Sequence, residues 1–155
     1  MRLYFLRHAD AEERRPGTND ADRQLSAKGR RQADEVADWV RRHEITAAAI
    51  VSSPLVRARE TAEPVARALG LPVREDERLG GGRLTLDALD EVVREVGSPD
   101  SLMLVGHEPD FSDVIGELTG GQVNMRKAGL ALVVSESLES SAGVLEWLIP
   151  AALRV

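Results

Sequence analysis

Cysteine is absent from the chain, which excludes a disulfide framework, thiolate-bound zinc and every cysteine-nucleophile mechanism. Oxygen and nitrogen chemistry is what remains. Aromatic residues are scarce: Tyr4, Phe5, Trp39, Phe111 and Trp147 are all there are. They are too few for a platform on which single-stranded bases stack, and they read as core. A surplus of positive charge is also lacking, with 20 Lys plus Arg against 26 Asp plus Glu and a formal charge of -6. That balance argues against a duplex-gripping surface, and no nucleic-acid partner is expected. No apolar stretch approaches the roughly 20 residues that span a bilayer, and Met1 to Leu6 is too short for a secretory h-region. The expectation is a soluble, cytoplasmic protein with no membrane partner. Lysine is nearly missing: only Lys28 and Lys127 are not arginine among the basic residues, so an arginine by itself marks nothing.

What is present is enough chain, 155 residues, for one domain over 1–155 with a core of its own. Leu3 to Leu6, Ala47 to Val51 and Leu102 to Val105 are short apolar runs without helical periodicity, and they read as buried parallel strands. Helical patterns follow. Ala33, Val36, Ala37 and Val40 come after a Ser26 cap, and Ala58, Ala62, Val65, Ala66 and Leu69 stop at Gly70. Leu86 to Val96 and Phe111 to Leu118 repeat the three-to-four spacing up to Gly97 and Gly120, while Val73 marks at most a short strand. Leu130 to Val134 and Val144 to Ile149 form a terminal antiparallel hairpin. The sum is an α/β fold of three layers, a mostly parallel central sheet flanked by helices. Asp10 to Leu25 is long, polar and free of either period, which predicts a loop that serves as a flap beside a site or is simply a solvated excursion.

In an open α/β sheet, ligands sit beyond the carboxyl ends of the strands. Arg7 and His8 follow the first strand, Ser52 and Ser53 lead through Pro54 to Arg57 after the second, and His107 and Glu108 follow the fourth. With Ser53 as cap and Pro54 as first helical residue, Arg57 falls in an opening turn whose free N–H groups already favour an anion. Pro109 suits the first position of the next helix, which sets His107 beside a second positive helix end. Two histidines and two arginines thus converge on an anion pocket. Each piece has a plainer reading: His107 as a helix cap, and Arg57 paired with Glu60 or Glu63 on its own helix.

Leu6-Arg7-His8-Ala9-Asp10, Ser53-Pro54-Leu55-Val56-Arg57-Ala58 with Thr61-Ala62, and Val105-Gly106-His107-Glu108-Pro109 resemble the three sequence blocks of the histidine phosphatase superfamily. The likeness is greatest to its compact SixA-type phosphohistidine phosphatase branch, and Asp22, Arg23, Leu25, Ser26 and Gly29 extend it. The resemblance implies a phosphoglycerate-mutase-like fold and a metal-independent phosphatase without cofactors. It implies that His8 takes the phosphoryl group covalently while Arg7, Arg57 and His107 hold the phosphoryl oxygens. Asp10 and Glu108 are further candidates for substrate contact, and Asp10, Glu77 and Glu108 for proton transfer.

Two departures from the family pattern stand out. Ala9 replaces the usual glycine after the first histidine, and Gly80, Gly81 and Gly82 follow Glu77-Arg78-Leu79 where larger members carry an acid. A phosphohistidine leaving group departs as neutral imidazole without that acid, whereas an alkoxide needs a proton. With only 49 residues between Arg57 and His107 there is also no room for an enclosing helical lid. Both points favour phosphohistidine on a protein over a small phosphate ester, and a non-catalytic phosphoprotein-binding module is the rival from another class. A metal site of His8, Asp10 and His107 would put Arg7 and Arg57 against a dication. Asp20-Ala21-Asp22 lacks a strand to deliver it as a phosphoacceptor, Gly80 to Gly82 read as a flexible turn, and His43 is assigned no role.

Overall fold

The computed structural model describes residues 1–153. Strands β1 (Arg2–Arg7), β2 (Ala49–Ser52) and β4 (Ser101–Gly106) are buried almost end to end, which is why their sequences run apolar without alternation. With β3 (Val73–Glu75), β5 (Leu130–Ser135) and β6 (Gly143–Ile149) they form one sheet in the order β3-β2-β4-β1-β5-β6. The first four strands are parallel, β5 runs antiparallel to β1, and β6 antiparallel to β5. The α/β reading and the terminal hairpin are as expected.

Period-two alternation sends side chains to two separate cores. On one face, Leu3, Phe5 and Leu104 meet Leu89 of α3 (Leu86–Glu95) and Phe111 of α4 (Asp110–Thr119). On the other, Tyr4, Leu6 and Ile50 meet Val36 of α1 (Ala27–Arg42) and Val65 of α2 (Val56–Leu69). Helices therefore cover both faces. Among the described residues no helix is long and apolar enough to cross a membrane.

Ser26 caps α1 as expected, its Oγ accepting from Gly29 N at 3.0 Å, and Gly70 ends α2 in the left-handed region at φ 70. Two helix starts differ from expectation. Helix α2 begins at Val56 behind Leu55, because the Ser53 hydroxyl is used by Leu55 N–H and the His107 ring instead of by a helical turn. Pro109 is the N-cap of α4 and not its first helical residue, and the Glu108–Pro109 peptide is cis. Arg57 still lies in the opening turn of α2. The segment expected as a structureless loop carries a 3-10 turn over Asp20–Asp22. It is tied at its base by an Ala11–Leu25 bridge and by Glu12 N donating to Gln24 O at 2.9 Å.

Register fixes what lies at the carboxyl edge. Arg7 is opposite Gly106, and Ser52 opposite Val105, so the chain leaves β1, β4 and β2 at nearly one level. Strand β4 lies between the other two.

Candidate active site

His8 continues directly from β1 and is clamped by its own backbone, with its N–H on Gly106 O at 3.0 Å and its carbonyl accepting from Ala128 N at 3.1 Å. The imidazole Nδ1 is 2.8 Å from Ala9 O. A carbonyl only accepts, so Nδ1 carries the proton and the lone pair of a neutral ring resides on Nε2. The next residue is held as well: Ala9 N donates to Thr61 Oγ1 at 3.0 Å, and that hydroxyl donates to Arg57 O at 2.7 Å. One buried threonine thereby fixes the His8 turn against the first turn of α2.

His107 follows β4, its ring centroid 5.1 Å from that of His8. Its Nε2 lies 2.7 Å from Ser53 Oγ, which also accepts from Leu55 N. Nδ1 is therefore the ring nitrogen left for a ligand. Arg57 donates through its two terminal nitrogens to the Asp20 main-chain carbonyl at 3.0 Å and to its carboxylate at 3.2 Å. Arg7 donates to Met125 O at 2.9 Å. The Nε atoms of both guanidiniums are buried and have no partner among the described residues. Arg59 Nε, outside the cleft, shares that state, and such donors are costly to leave unsatisfied.

These four side chains line one cleft of about 390 Å³. Arg14, Arg23 and Lys127 add positive charge around it, and Asp20 and Glu108 are its carboxylates. Asp10 is elsewhere: its carboxylate accepts from Lys127 Nζ at 2.9 Å and Ser26 Oγ at 2.7 Å, anchoring the start of α1. Glu108 faces the cleft but accepts from Ser112 N at 3.0 Å and from the Ser112 hydroxyl. Glu77 is exposed and does not line the cleft. Among the described residues no trio of His, Asp or Glu is arranged to hold a metal ion, so His8, Asp10 and His107 do not assemble as one.

Two acidic residues in or beside the cleft were not legible as such. Asp20, dismissed as a phosphoacceptor, also pairs with Arg14 and Arg23, each at 3.1 Å. Buried Asp110 accepts from Gly82 N at 3.0 Å and from Arg83 N and Leu84 N at 3.2 Å. This fastens the glycine turn beside the His107 ring, where Gly81 has φ 94 and a Cβ would stand 3.7 Å from the imidazole. The turn expected to be flexible is thus a clamped wall. His43 stacks on Trp39 with ring centroids 4.2 Å apart, away from the cleft.

The family model of the histidine phosphatase superfamily (branch 1) matches residues 3–82, half of the chain, including Arg7, His8 and Arg57. The chain belongs to that superfamily. An uncharacterized protein of Picosynechococcus sp. is 36% identical over 137 residues, 84% of this chain and 82% of the relative. The Escherichia coli protein named probable phosphoglycerate mutase GpmB is 40% identical over 83 residues, and there the match spans 51% of this chain but only 37% of the mutase. Among solved structures, the protein histidine phosphatase SixA complexed with tungstate superposes with a TM-score of 0.83 over 98% of both chains, at 22% identity. At that identity the likeness concerns the fold.

In this histidine phosphatase both site rings are held neutral. His8 is 7% and His107 5% exposed. Burial, assisted by Arg57, Arg7 and the other ring, pushes the His8 imidazole down to about 3. Burial and then Arg57 push His107 down to about 4, against the pull of Asp110. The unfolded chain protonates both rings below about pH 6.5 while the native state does not. Stability should therefore fall as pH drops from about 6.5 toward the folded values, because the unfolded state binds more protons. Urea unfolding at pH 7 and pH 5 is expected to differ by on the order of 3–4 kcal/mol from this source. A His8→Asn variant should lose about half of that difference.

Proposed function

We propose that this protein is a phosphatase of histidine-phosphorylated protein, acting in the cytoplasm as one histidine-phosphatase domain over 1–155, of which 154–155 lie outside the described residues. His8 is the nucleophile, and Arg7, Arg57 and His107 hold the phosphoryl oxygens. The observation that carries the reading is the Nδ1 contact to Ala9 O, which leaves a lone pair on Nε2 of a ring kept neutral among cations.

In the first step the His8 Nε2–P bond forms while the substrate P–N bond breaks. The leaving imidazole keeps the proton on its other nitrogen and departs neutral. Guanidinium and helix-end N–H groups stabilise charge on the equatorial oxygens in flight. In the second step the O–P bond to water forms, the Nε2–P bond breaks and its electron pair returns to Nε2, while a proton passes to solvent. Inorganic phosphate leaves. No step calls on a metal.

An open cleft supports a phosphate displayed on another protein. The stretch between Arg57 and His107 is taken up by α2, β3, α3 and β4, and only the clamped glycine turn borders the site from it. The mutase-named relative favours a second reading, a small phosphate ester as substrate.

Phosphate release should be measured, with EDTA present, from an aryl phosphate, a phosphohistidine peptide and a series of small phosphate esters. Turnover on all arms is expected to survive the chelator, with kcat/KM at least about tenfold higher on the peptide than on any ester. The reverse preference would install the ester reading. Tungstate binding without release from any arm would leave a binding module.

A further inference from the structure

Beside the cleft lies a larger groove of about 660 Å³, and Arg7 and Lys127 line both. One of its walls is a face of α1, where Lys28, Arg31 and Glu35 follow at helical spacing, and Arg126 in the segment before β5 adds to it. Both lysines of a chain with a net charge of -6 stand in this groove. Asp10 in its wall is already neutralised by Lys127 at 2.9 Å. Lys28, Arg31 and Arg126 are exposed and pair with no carboxylate among the described residues. That leaves Glu35 as the one lining carboxylate outside the Asp10–Lys127 pair, set against three cations that form no ion pair, of which Lys28 also acts at longer range on Asp10.

We propose that the groove receives an acidic polypeptide segment flanking the phosphorylated residue of the substrate protein. The assignment rests on the phosphatase reading of the adjoining cleft. Because the two cavities share Arg7 and Lys127, carboxylates a few residues from the phosphorylated side chain reach the groove, an extended chain advancing about 3.3 Å per residue. The chain elsewhere is acidic, so such a partner is repelled from most of the surface and steered to this strip. Nucleic acid fits less well, since no aromatic side chain lines the groove for a base to stack on.

The variant Lys28→Glu/Arg31→Glu reverses charge at two exposed positions and suits the positive end of α1, so the fold should persist. Two phosphohistidine peptides that differ only in four flanking residues, Glu in one and Gln in the other, serve as substrates with an aryl phosphate as control. Wild type should prefer the Glu peptide by about tenfold at low salt, the preference fading toward 0.5 M salt. In the variant that preference should disappear, while aryl phosphate turnover stays within about twofold.

A fluorescent Glu-rich peptide without phosphate reads the groove independently of chemistry. Wild type should bind it at least about tenfold more tightly than the variant. Equal binding by the two, equal rates on the Glu and Gln peptides, or tighter binding of a labelled DNA single strand than of the peptide would each overturn the assignment. Absence of phosphate release by wild type from both peptides and from the aryl phosphate would instead overturn the cleft reading, and the binding measurement would still decide the groove.

Discussion

Alanine in place of His8 is expected to abolish phosphate release, lowering kcat by about 10⁴-fold or more. His107 is committed differently: its Nε2 is engaged by Ser53 at 2.7 Å, and its Nδ1 is the nitrogen assigned to a phosphoryl oxygen. Wild-type enzyme mixed with labelled phosphohistidine peptide and quenched within one turnover should carry protein-bound phosphate that acid removes and base does not. The alanine variant should carry none, yet it should still bind tungstate, because Arg7, Arg57 and His107 remain. Retention of full turnover by the variant would falsify the covalent mechanism. Retention of label without turnover would place the phosphoryl group on another residue.

Replacing Gly29 with alanine should cost the fold at least about 3 kcal/mol in urea denaturation, more than an ordinary substitution on a helix. Two effects oppose each other here. Alanine in a helix gains about 1 kcal/mol over glycine by propensity. A Cβ at position 29, however, would lie 1.8 Å from Asp10 O, inside any tolerable contact with backbone. That same carbonyl accepts from Ser26 N at 3.0 Å, so relief of the clash pulls the α1 cap away from the residue two places after His8. Activity should fall together with stability. A variant more stable than wild type would show that α1 does not approach the β1 turn this closely.

The comparison of residue pattern with structure divides along sequence separation. Strands β1, β2 and β4 could be read because burial on both faces leaves an unbroken apolar run, and Ser26 and Gly70 could be read because capping is local. The convergence of Arg7, His8, Arg57 and His107 on one cleft was legible too, since the edge rule needs only strand ends. The start of α2 was not, because Ser53 turned from helix capping to His107, 54 residues away. Asp20 and Asp110 escaped for the same reason: their partners, Arg57 and the residues 82–84, stand 26 to 37 positions off. A carboxylate in a polar loop carries no local mark of the guanidinium it will meet. Asp10 and Glu108 show the converse, lying within two residues of histidines and yet engaged with Ser26, Lys127 and Ser112.

Strand β4 lies between β1 and β2 although it comes after both. Without Ser101–Gly106 the two earlier strands share no neighbour in the sheet. The first hundred residues therefore lack the strand that joins β1 to β2, His107 arrives directly after that strand, and Met125, Lys127 and Ala128, which brace Arg7, line the cleft and hold the His8 carbonyl, come later still.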